Sequence, residues 1–255
     1  MSGDSARSGH APLLEVRGLT KRFGSLRALD GVDLDVAEGT LTGLIGPNGA
    51  GKSTAFSCIA GAQRPSAGSI RFRGREIAGM PYHRVAALGI GRTYQIVQTF
   101  ADMTVLEAVT TGSLLHHPRV RDAARHAEQV LQFVGLAEKR HRLGRALTIA
   151  DKKRLEVARA LATDPQLLLL DEVMAGLTPA ECRDAVELLR RILARGITVL
   201  MVEHVMEVLM PIAEHVVVIA AGKTIFRGSA AEAVRDARVV EAYLGSPLEH
   251  GEIAS

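Results

Sequence analysis

The sequence predicts an α/β fold with a mainly parallel central sheet, an N-terminal antiparallel β subdomain and a helical insertion subdomain. Three patterns carry this prediction: alternating apolar residues near the start, short apolar runs later, and amphipathic helical segments between them. Continuous apolar runs are typical of strands in parallel sheets, because helices cover both faces of such sheets. With 255 residues and 47% hydrophobic content, the chain has enough apolar side chains for this core.

The N-terminal part alternates apolar and polar residues at two places, which predicts half-buried strands over residues 13–16 and 31–36. An Ala-Glu-Gly turn at residues 37–39 ends the second of them, so we expect an antiparallel arrangement. A compact apolar strand at residues 41–45 then leads through glycine and proline into helix-forming residues from Lys52 onward. This order is strand, loop and helix.

The middle of the chain has a helical pattern, and we place the insertion at about residues 100–163. Apolar residues recur three and four positions apart, at Ala127, Val130, Leu131 and Val134, as they do on one face of a helix. Many arginines lie between them, which suits an exposed opposite face.

The C-terminal part predicts a βαβ unit. Four leucines at residues 167–170 are too short a run for a helix and indicate a buried parallel strand, and residues 197–202 indicate a second one. Between them, Thr178 is a helix cap, Pro179 suits a first helical turn, and Gly196 ends the helix.

A strand pair and a helical end follow this unit. Residues 216–220 and 223–226 are predicted to form a pair of strands joined by the turn Ala221-Gly222, and residues 229–244 are predicted to be helical. We therefore expect a single domain over residues 11–245, a disordered tail at 1–10 and a loose tail at 246–255.

Several classes of protein are not favoured by the composition. The polar start predicts no secretory signal, and residues 197–221 contain too many acids and histidines for a membrane span, which needs about 20 apolar residues. Cys58 and Cys182 lie far apart without metal-ligand neighbours, so they suggest neither a disulfide framework nor a zinc site, and a reducing cytosol fits.

The charge pattern is mildly basic, with a net charge of +3. Basic residues gather at 119–125, 139–145 and 152–154, and we interpret them first as solvated helix faces, with contact to acidic lipid or nucleic acid as the alternatives. Aromatic residues make up only 4% and tryptophan is absent, so platforms that stack on single-stranded nucleic acid are not expected.

A glycine-rich phosphate-binding loop is the most specific motif. The segment GPNGAGKST matches G-x-x-x-x-G-K-[ST] between a predicted strand and a predicted helix. Glycine lets backbone N–H groups approach phosphate oxygens, the helix N-terminus attracts the same anion, lysine neutralises the β- and γ-phosphates, and the serine hydroxyl can ligate Mg²⁺. The expected ATP-binding residues are Gly46, Pro47, Asn48, Gly49, Ala50, Gly51, Lys52, Ser53 and Thr54.

Two acids at the end of the leucine strand suit metal binding and water activation. Ligands bind at the carboxyl ends of parallel strands, which is where Asp171 stands, so we expect Asp171 to support Mg²⁺ beside Ser53. Glu172 follows immediately, and its side chain is expected to project in a different direction from that of Asp171. It is the candidate for the base that orients or deprotonates the attacking water. The alternative is that the two acids merely begin a loop.

Two further polar residues are candidates at the same edge. His204 follows the next buried strand and can sense the γ-phosphate, although a surface histidine at a helix start is the alternative. Gln95 follows a probable strand over residues 89–94 and is expected to contact the metal and the hinge to the insertion.

This ordered set resembles the ABC transporter ATPase family, over nearly the whole chain: Phe23, GPNGAGKST, Gln95, LTIADKKRLEVARAL, LLLLDE and His204. The resemblance implies a P-loop NTPase fold, with Phe23 stacking on adenine, although Phe23 could instead belong to the core. It also implies a head-to-tail dimer in which each ATP lies between one phosphate loop and the signature segment of the partner. Transmembrane permease subunits would dock near residues 93–106.

Other segments look like the branched-chain amino-acid importer branch, among them KRFGSLRALDGVDLDV, AGLTPAE, TVLMVEHVMEVL and VVEAYLG. This resemblance implies a peripheral subunit on the cytoplasmic face of the membrane, with a periplasmic or extracellular substrate-binding protein as an indirect partner and no nucleic acid. An ATPase for lipopolysaccharide export and a soluble ABC-type ATPase acting on ribosomes or DNA are the alternatives. A regulatory subunit that scarcely hydrolyses ATP is disfavoured by the intact pair Asp171 and Glu172.

The signature segment departs from the family's LSGGQ. The aligned residues are Leu147, Thr148, Ile149, Ala150 and Asp151. Ile149 and Ala150 replace the two glycines of the family and add Cβ atoms where bare backbone comes close to phosphate. Asp151 adds a negative charge, which would weaken closure of the dimer unless Lys152 or Lys153 offsets it. One interpretation is a weak reciprocal site, which favours a heterodimer with a second ATPase subunit over a homodimer. The other is a capping box formed by Thr148 and Asp151.

Two smaller departures concern the segment after the acids. Val173 stands where the family usually has proline, and Thr178 stands near a position where many members place an aspartate that links the two sites. Coupling between the two ATP sites is therefore in question.

Overall fold

The structure is a computed structural model that describes residues 12–93, 100–203 and 206–244, and it confirms the predicted fold class. One sheet is antiparallel. It contains four strands, which are β1 (Leu14–Phe23), β2 (Leu26–Val36), β4 (Ala67–Phe72) and β5 (Arg75–Glu76), in the order β2-β1-β4-β5. The predicted tails at 1–10 and 246–255 lie outside the described residues.

The second sheet has six strands and is parallel except at one edge. Its strands are β3 (Leu41–Ile45), β6 (Ile90–Arg92), β7 (Leu167–Asp171), β8 (Thr198–Val202), β9 (His215–Ala220) and β10 (Lys223–Gly228). Their order is β10-β9-β3-β8-β7-β6, and only β10 runs antiparallel to its neighbour.

The leucine run of β7 explains why a short apolar segment forms a central strand. Successive side chains on a strand point to opposite faces. Leu168 and Leu170 accordingly join the core that includes the helices of the insertion, whereas Leu167 and Leu169 join the core shared with the antiparallel sheet. Both faces of β7 are therefore buried.

Nine α-helices lie in the described part of the chain. Their bounds are α1 (Lys52–Ile59), α2 (Tyr82–Ala87), α3 (Val105–Ser113), α4 (Val120–Val134), α5 (Ile149–Leu161), α6 (Pro179–Leu193), α7 (Met206–Leu209), α8 (Ala230–Ala233) and α9 (Ala237–Leu244). In the ranges described, none of these helices combines the length and the apolar character that crossing a bilayer requires.

Helix boundaries follow local capping chemistry. Thr178 caps α6 by accepting from the Glu181 N–H, while the Glu181 carboxylate accepts from the Thr178 N–H, and Pro179 is the first helical residue. This confirms the helix start predicted from Thr178 and Pro179. At the other end of a helix, Gly135 takes the left-handed conformation that terminates α4.

The antiparallel sheet is larger than the sequence pattern suggests. Strands β1 and β2 extend to a tight connection at residues 24–25, and β4 and β5 were not expected at all. The exposed faces of β4 and β5 carry arginine and glutamate, so few apolar residues alternate in the sequence of these two strands. The strand expected over 89–94 covers 90–92 in the described residues.

Candidate functional site

The glycine-rich loop needs glycine at its two ends. Gly46 has φ 149°, and a Cβ built there would lie 2.0 Å from the Ile219 carbonyl oxygen of β9. Gly51 has φ 106°, and its Cβ would lie 2.6 Å from the Ala28 carbonyl oxygen. Other residues are strained at such φ values and clash with backbone here. The loop is therefore packed tightly against β9 and β2.

Lys52 lies at the base of this loop and is only 6% exposed. Its Nζ donates to the carbonyl oxygens of Gly46 at 2.7 Å and Pro47 at 3.0 Å. Burial lowers the pKa of Lys52, while Glu172 and Asp171 act in the opposite direction. The ammonium group is thus held between the loop and the two acids.

The start of α1 presents backbone donors to the same loop. Its N-cap is Gly51, which has no side chain to accept from the first N–H groups of the helix. Ser53 is exposed in this first turn, as are Asn48 and Gly49 in the loop. Unsatisfied N–H groups and the positive end of the helix dipole together favour an anion such as phosphate.

The two acids lie at the same edge of the sheet as the loop. Along β8, Val202 is paired with Leu44 on one side and with Asp171 on the other. Asp171 therefore stands level with the end of β3, from which the loop departs. The predicted grouping of loop and acids at the carboxyl ends of parallel strands matches this register.

Asp171 is buried and has one oxygen available. Its Oδ2 lies 3.4 Å from the Arg92 guanidinium, whereas its Oδ1 is buried and finds no hydrogen-bond partner among the described residues. Burial raises the pKa of Asp171 and Arg92 opposes that rise. A buried carboxylate oxygen without a donor fits a Mg²⁺ ion or a water bound to it, so the side chains present here suit the metal.

Glu172 has an unusual backbone conformation for a residue with a side chain. Its φ is 49°, its N–H donates to the Val202 carbonyl oxygen at 2.9 Å, and its carbonyl oxygen accepts from Lys153 Nζ at 2.7 Å. Left-handed backbone at a residue other than glycine is strained and is found often at active sites. These two bonds hold the strained residue at the end of β7.

Three contacts of this edge were not anticipated from the sequence. Arg92 pairs with Asp171, Lys153 bonds the Glu172 backbone, and buried Glu203 accepts from the Met174 N–H at 2.7 Å. Lys153 belongs to the basic group 152–154, whose interpretation as a solvated face is wrong for this residue. The position of Glu203 directly after the apolar strand β8 could have indicated a residue at this edge of the sheet.

The signature segment begins α5, and the two interpretations of it can be compared with the geometry. Thr148 is the N-cap, and its hydroxyl accepts from the Asp151 N–H at 3.2 Å. The Asp151 carboxylate does not complete a reciprocal capping box but pairs with Lys139 at 2.5 Å. Burial raises the pKa of Asp151, but hydrogen bonds from Lys139 and Thr148 and the positive charges of Lys139 and Arg154 together hold that pKa below its ordinary value.

Lys139 therefore offsets the Asp151 charge, rather than Lys152 or Lys153, the two residues considered from the sequence. Residues one or two positions apart on a helix do not face each other. Leu147 is buried beneath the segment, while Ile149 is 61% exposed beside Ala150. The surface of this segment therefore differs from that of a glycine pair by the side chains of Ile149 and Ala150, and not by the charge of Asp151.

The remaining candidates differ in how the structure describes them. Phe23 is the last residue of β1, is 45% exposed and has Lys21 Nζ 4.9 Å from its ring centre, so it is not a core residue. Gln95 and His204 lie outside the described residues. Thr93, two positions before Gln95, is held beside Asp171, because its hydroxyl accepts from the Asp171 N–H at 3.1 Å.

The site combines a parallel strand, a glycine loop, a helix start without a side-chain cap and an acid on a nearby strand. Together these features define a P-loop nucleoside triphosphatase. The chain belongs to the ABC transporter family, whose sequence profile matches residues 29–175. It is therefore an ATPase that binds nucleotide, and ATP-binding subunits of such transporters work with membrane permease components.

Relatives from two bacteria match almost the whole chain. The high-affinity branched-chain amino acid transport ATP-binding protein BraF of Pseudomonas aeruginosa is 38% identical over 250 residues, which is 92% of this chain and 98% of that protein. The corresponding protein LivG of Escherichia coli is 36% identical with the same coverage.

Solved structures show the same architecture. A nucleotide-free ATP-binding cassette from an ABC transporter superposes with a TM-score of 0.85 at 29% identity, covering 92% of this chain and 100% of that chain. The ADP conformation of an ATP-binding cassette superposes with a TM-score of 0.84 at 30% identity, covering 93% and 100%.

Proposed function

We propose that this chain is the ATP-hydrolysing subunit of a membrane importer for branched-chain amino acids or related small amino acids or amides. The arrangement of Lys52, Asp171 and Glu172 around the glycine loop carries the ATPase part of the proposal. The names of the relatives, which specify branched-chain amino acid transport, support the substrate class. They do not favour lipopolysaccharide export or a soluble ATPase acting on ribosomes or DNA.

The roles of the site residues follow from their chemistry. Lys52 and the donors of the loop and of α1 hold the phosphates, and Phe23 offers an exposed ring for adenine. Glu172 orients or deprotonates the attacking water, and His204 senses the γ-phosphate. Mg²⁺ would be held by Ser53, Gln95 and Asp171, and when bound it neutralises charge that develops on the phosphates.

The site needs partners to work as a transporter. Two ATP molecules close a head-to-tail dimer, and this closure moves the helical insertions that contact the permease near residues 93–106. The subunit would thus be held peripherally on the cytoplasmic face of the membrane by transmembrane permease subunits. A periplasmic or extracellular substrate-binding protein delivers the cargo.

Purification of the tagged chain from detergent-solubilised membranes of its native host tests this assignment. We expect permease subunits and a second ATPase to copurify, because the site is completed by neighbouring subunits. Reconstituted into vesicles with its binding protein, the complex is expected to accumulate leucine, isoleucine or valine when ATP is supplied. Recovery of the chain with ribosomes or nucleic acid would overturn the transporter assignment, and uptake of none of the three amino acids would overturn the branched-chain assignment.

We further propose that the second ATPase is a different chain. The argument rests on Ile149 and Ala150, whose side chains occupy the surface that the partner's phosphates approach. The Asp151 charge no longer contributes to this argument, since Lys139 compensates it. An intact signature from another ATPase would complete the phosphate loop of this chain, while the reciprocal site would stay weak.

The double substitution Ile149→Gly/Ala150→Gly tests the heterodimer. Purified wild-type chain is expected to hydrolyse ATP with a Hill coefficient of about 1, and the double variant to be about 5-fold or more faster with a coefficient above 1. The reason is that removal of two Cβ groups lets the backbone of a second copy reach the phosphates. Steady-state ATPase assays over a range of ATP concentrations measure both quantities.

Glycine also weakens a helix start, so a matched control is needed. Val120 and Arg121 begin α4 with similarly exposed side chains, and Val120→Gly/Arg121→Gly imposes a comparable helical cost away from the site. This control should leave the rate unchanged. Cooperative hydrolysis by the wild-type chain, at a rate equal to that of the double variant, would show that a homodimer suffices.

A further inference from the structure

A cluster of two histidines and an aspartate lies where the helical insertion meets the sheet. His117 follows α3, His126 lies within α4, and Asp164 belongs to the connection between α5 and β7. His126 Nε2 is 3.2 Å from one carboxylate oxygen of Asp164, and His117 Nε2 is 3.8 Å from the other. The three ligand atoms lie within 4.8 Å of one another.

The side chain of Ser113 sets the orientation of one histidine. Buried Ser113 Oγ lies 2.9 Å from His126 Nδ1 and 3.5 Å from the Val109 carbonyl oxygen. When the hydroxyl donates to that carbonyl, it accepts from Nδ1–H, and the lone pair of Nε2 then points towards Asp164. A hydrogen bond to the second ring nitrogen is the usual support of a metal-binding histidine.

The spacing of the cluster suits a small tetrahedral ion. With Zn–N and Zn–O bonds of about 2.05 Å, neighbouring ligand atoms are separated by about 3.3 Å. The distances of 3.2 and 3.8 Å, which join the two histidines to different oxygens of Asp164, lie near this value. The widest separation, at most 4.8 Å, needs a contraction of about 1.5 Å, which side-chain rotation of the half-buried His117 can supply.

The surroundings leave room for a cation. The Asp164 side chain is 49% exposed, so an ion can enter from solvent. Arg195 lines the same groove as His126 and Asp164, but its guanidinium stacks on the Phe133 ring at 3.5 Å. Imidazole and carboxylate ligands together suit zinc among the common divalent ions. The alternative interpretation of the cluster is a plain ion pair between histidine and aspartate.

We propose that His117, His126 and Asp164 bind one Zn²⁺ ion, with a fourth position open to water. Such an ion cross-links α4 and the end of α3 to the connection that enters β7. It thereby fastens the helical insertion to the central sheet near the start of β7, at the opposite end of that strand from Asp171. Neither cysteine takes part in this site.

Equilibrium dialysis against Zn²⁺ with metal analysis tests the proposal on the full chain, free of nucleotide and of any histidine tag, at neutral pH. We expect one Zn²⁺ per chain, and a Kd at least about tenfold higher for His126→Gln, His117→Gln and Asp164→Asn. Asparagine suits position 164 because its φ is 47°, a left-handed value that asparagine tolerates. The control His116→Gln removes an exposed neighbouring imidazole and should bind like the wild type.

Thermal unfolding provides a second readout that separates lost binding from lost folding. Without metal, all variants should unfold near the wild-type temperature, and Zn²⁺ at about 100 times its Kd should raise the Tm of the wild type and His116→Gln by about 5 °C or more. The three ligand variants should show no such rise. Absence of Zn²⁺ binding by the wild type, or equal binding by His126→Gln, would overturn the site in favour of a plain ion-pair cluster.

Discussion

Replacement of Glu172 by glutamine is expected to lower kcat for ATP hydrolysis by about 10²–10⁴-fold while ATP binding stays close to wild type. Glutamine has the size and shape of glutamate but cannot accept the proton of the attacking water. The bonds that hold position 172 use its backbone N–H and carbonyl oxygen, so they survive the change. The loss should therefore be specific to the chemical step.

Single-turnover hydrolysis and equilibrium binding of ATP measure the two quantities separately. Glu187→Gln is the matched control, because Glu187 is an exposed glutamate on α6 whose carboxylate pairs with Arg190 at the surface. It should leave both quantities unchanged. Turnover by Glu172→Gln at the wild-type rate would remove Glu172 from the role of base.

Replacement of Lys52 by methionine is expected to weaken ATP binding by about 30–1000-fold, which corresponds to about 2–4 kcal/mol. Methionine keeps an unbranched side chain of similar length but removes the charge that faces the phosphates. It also leaves the carbonyl oxygens of Gly46 and Pro47 without their Lys52 donor. Calorimetric titration with ATP measures the affinity, and circular dichroism checks that the fold is intact.

Lys223→Met serves as the control for the loss of one positive charge. Lys223 is exposed at the start of β10 and pairs with Asp30 at the surface. ATP affinity should not change in this control, because exposed charges are screened by solvent and salt. If folded Lys52→Met bound ATP as tightly as the control, the phosphate-binding role of Lys52 would be wrong.

Local patterns in the sequence were sufficient for the glycine loop and for the strands around it. GPNGAGKST is contiguous, and each glycine reports a backbone requirement of its own position, as Gly46 and Gly51 show. The four leucines of β7 indicate a strand because length and composition alone exclude a half-exposed helix. The same patterns missed β4 and β5, whose exposed charged residues hide the apolar alternation.

The partners of the charged residues were decided by the tertiary structure. Arg92 and Asp171 are 79 positions apart, and Lys153 and Glu172 are 19 apart, so no helical or strand period relates them. For Asp151 the nearest lysines in sequence were the natural guess, yet Lys139 from a preceding turn makes the pair. Charged side chains are long and pair with whichever group the fold brings near.

The sequence by itself thus determined the phosphate loop, the strand and helix on either side of it, and the two acids at the end of β7, because these depend on neighbouring residues. Only the tertiary structure decided that Arg92 and Lys153 hold Asp171 and Glu172 in place, and that His117, His126 and Asp164 meet. The physical reason is that folding brings together segments that are far apart in the chain, and the local pattern of neither segment predicts the contact.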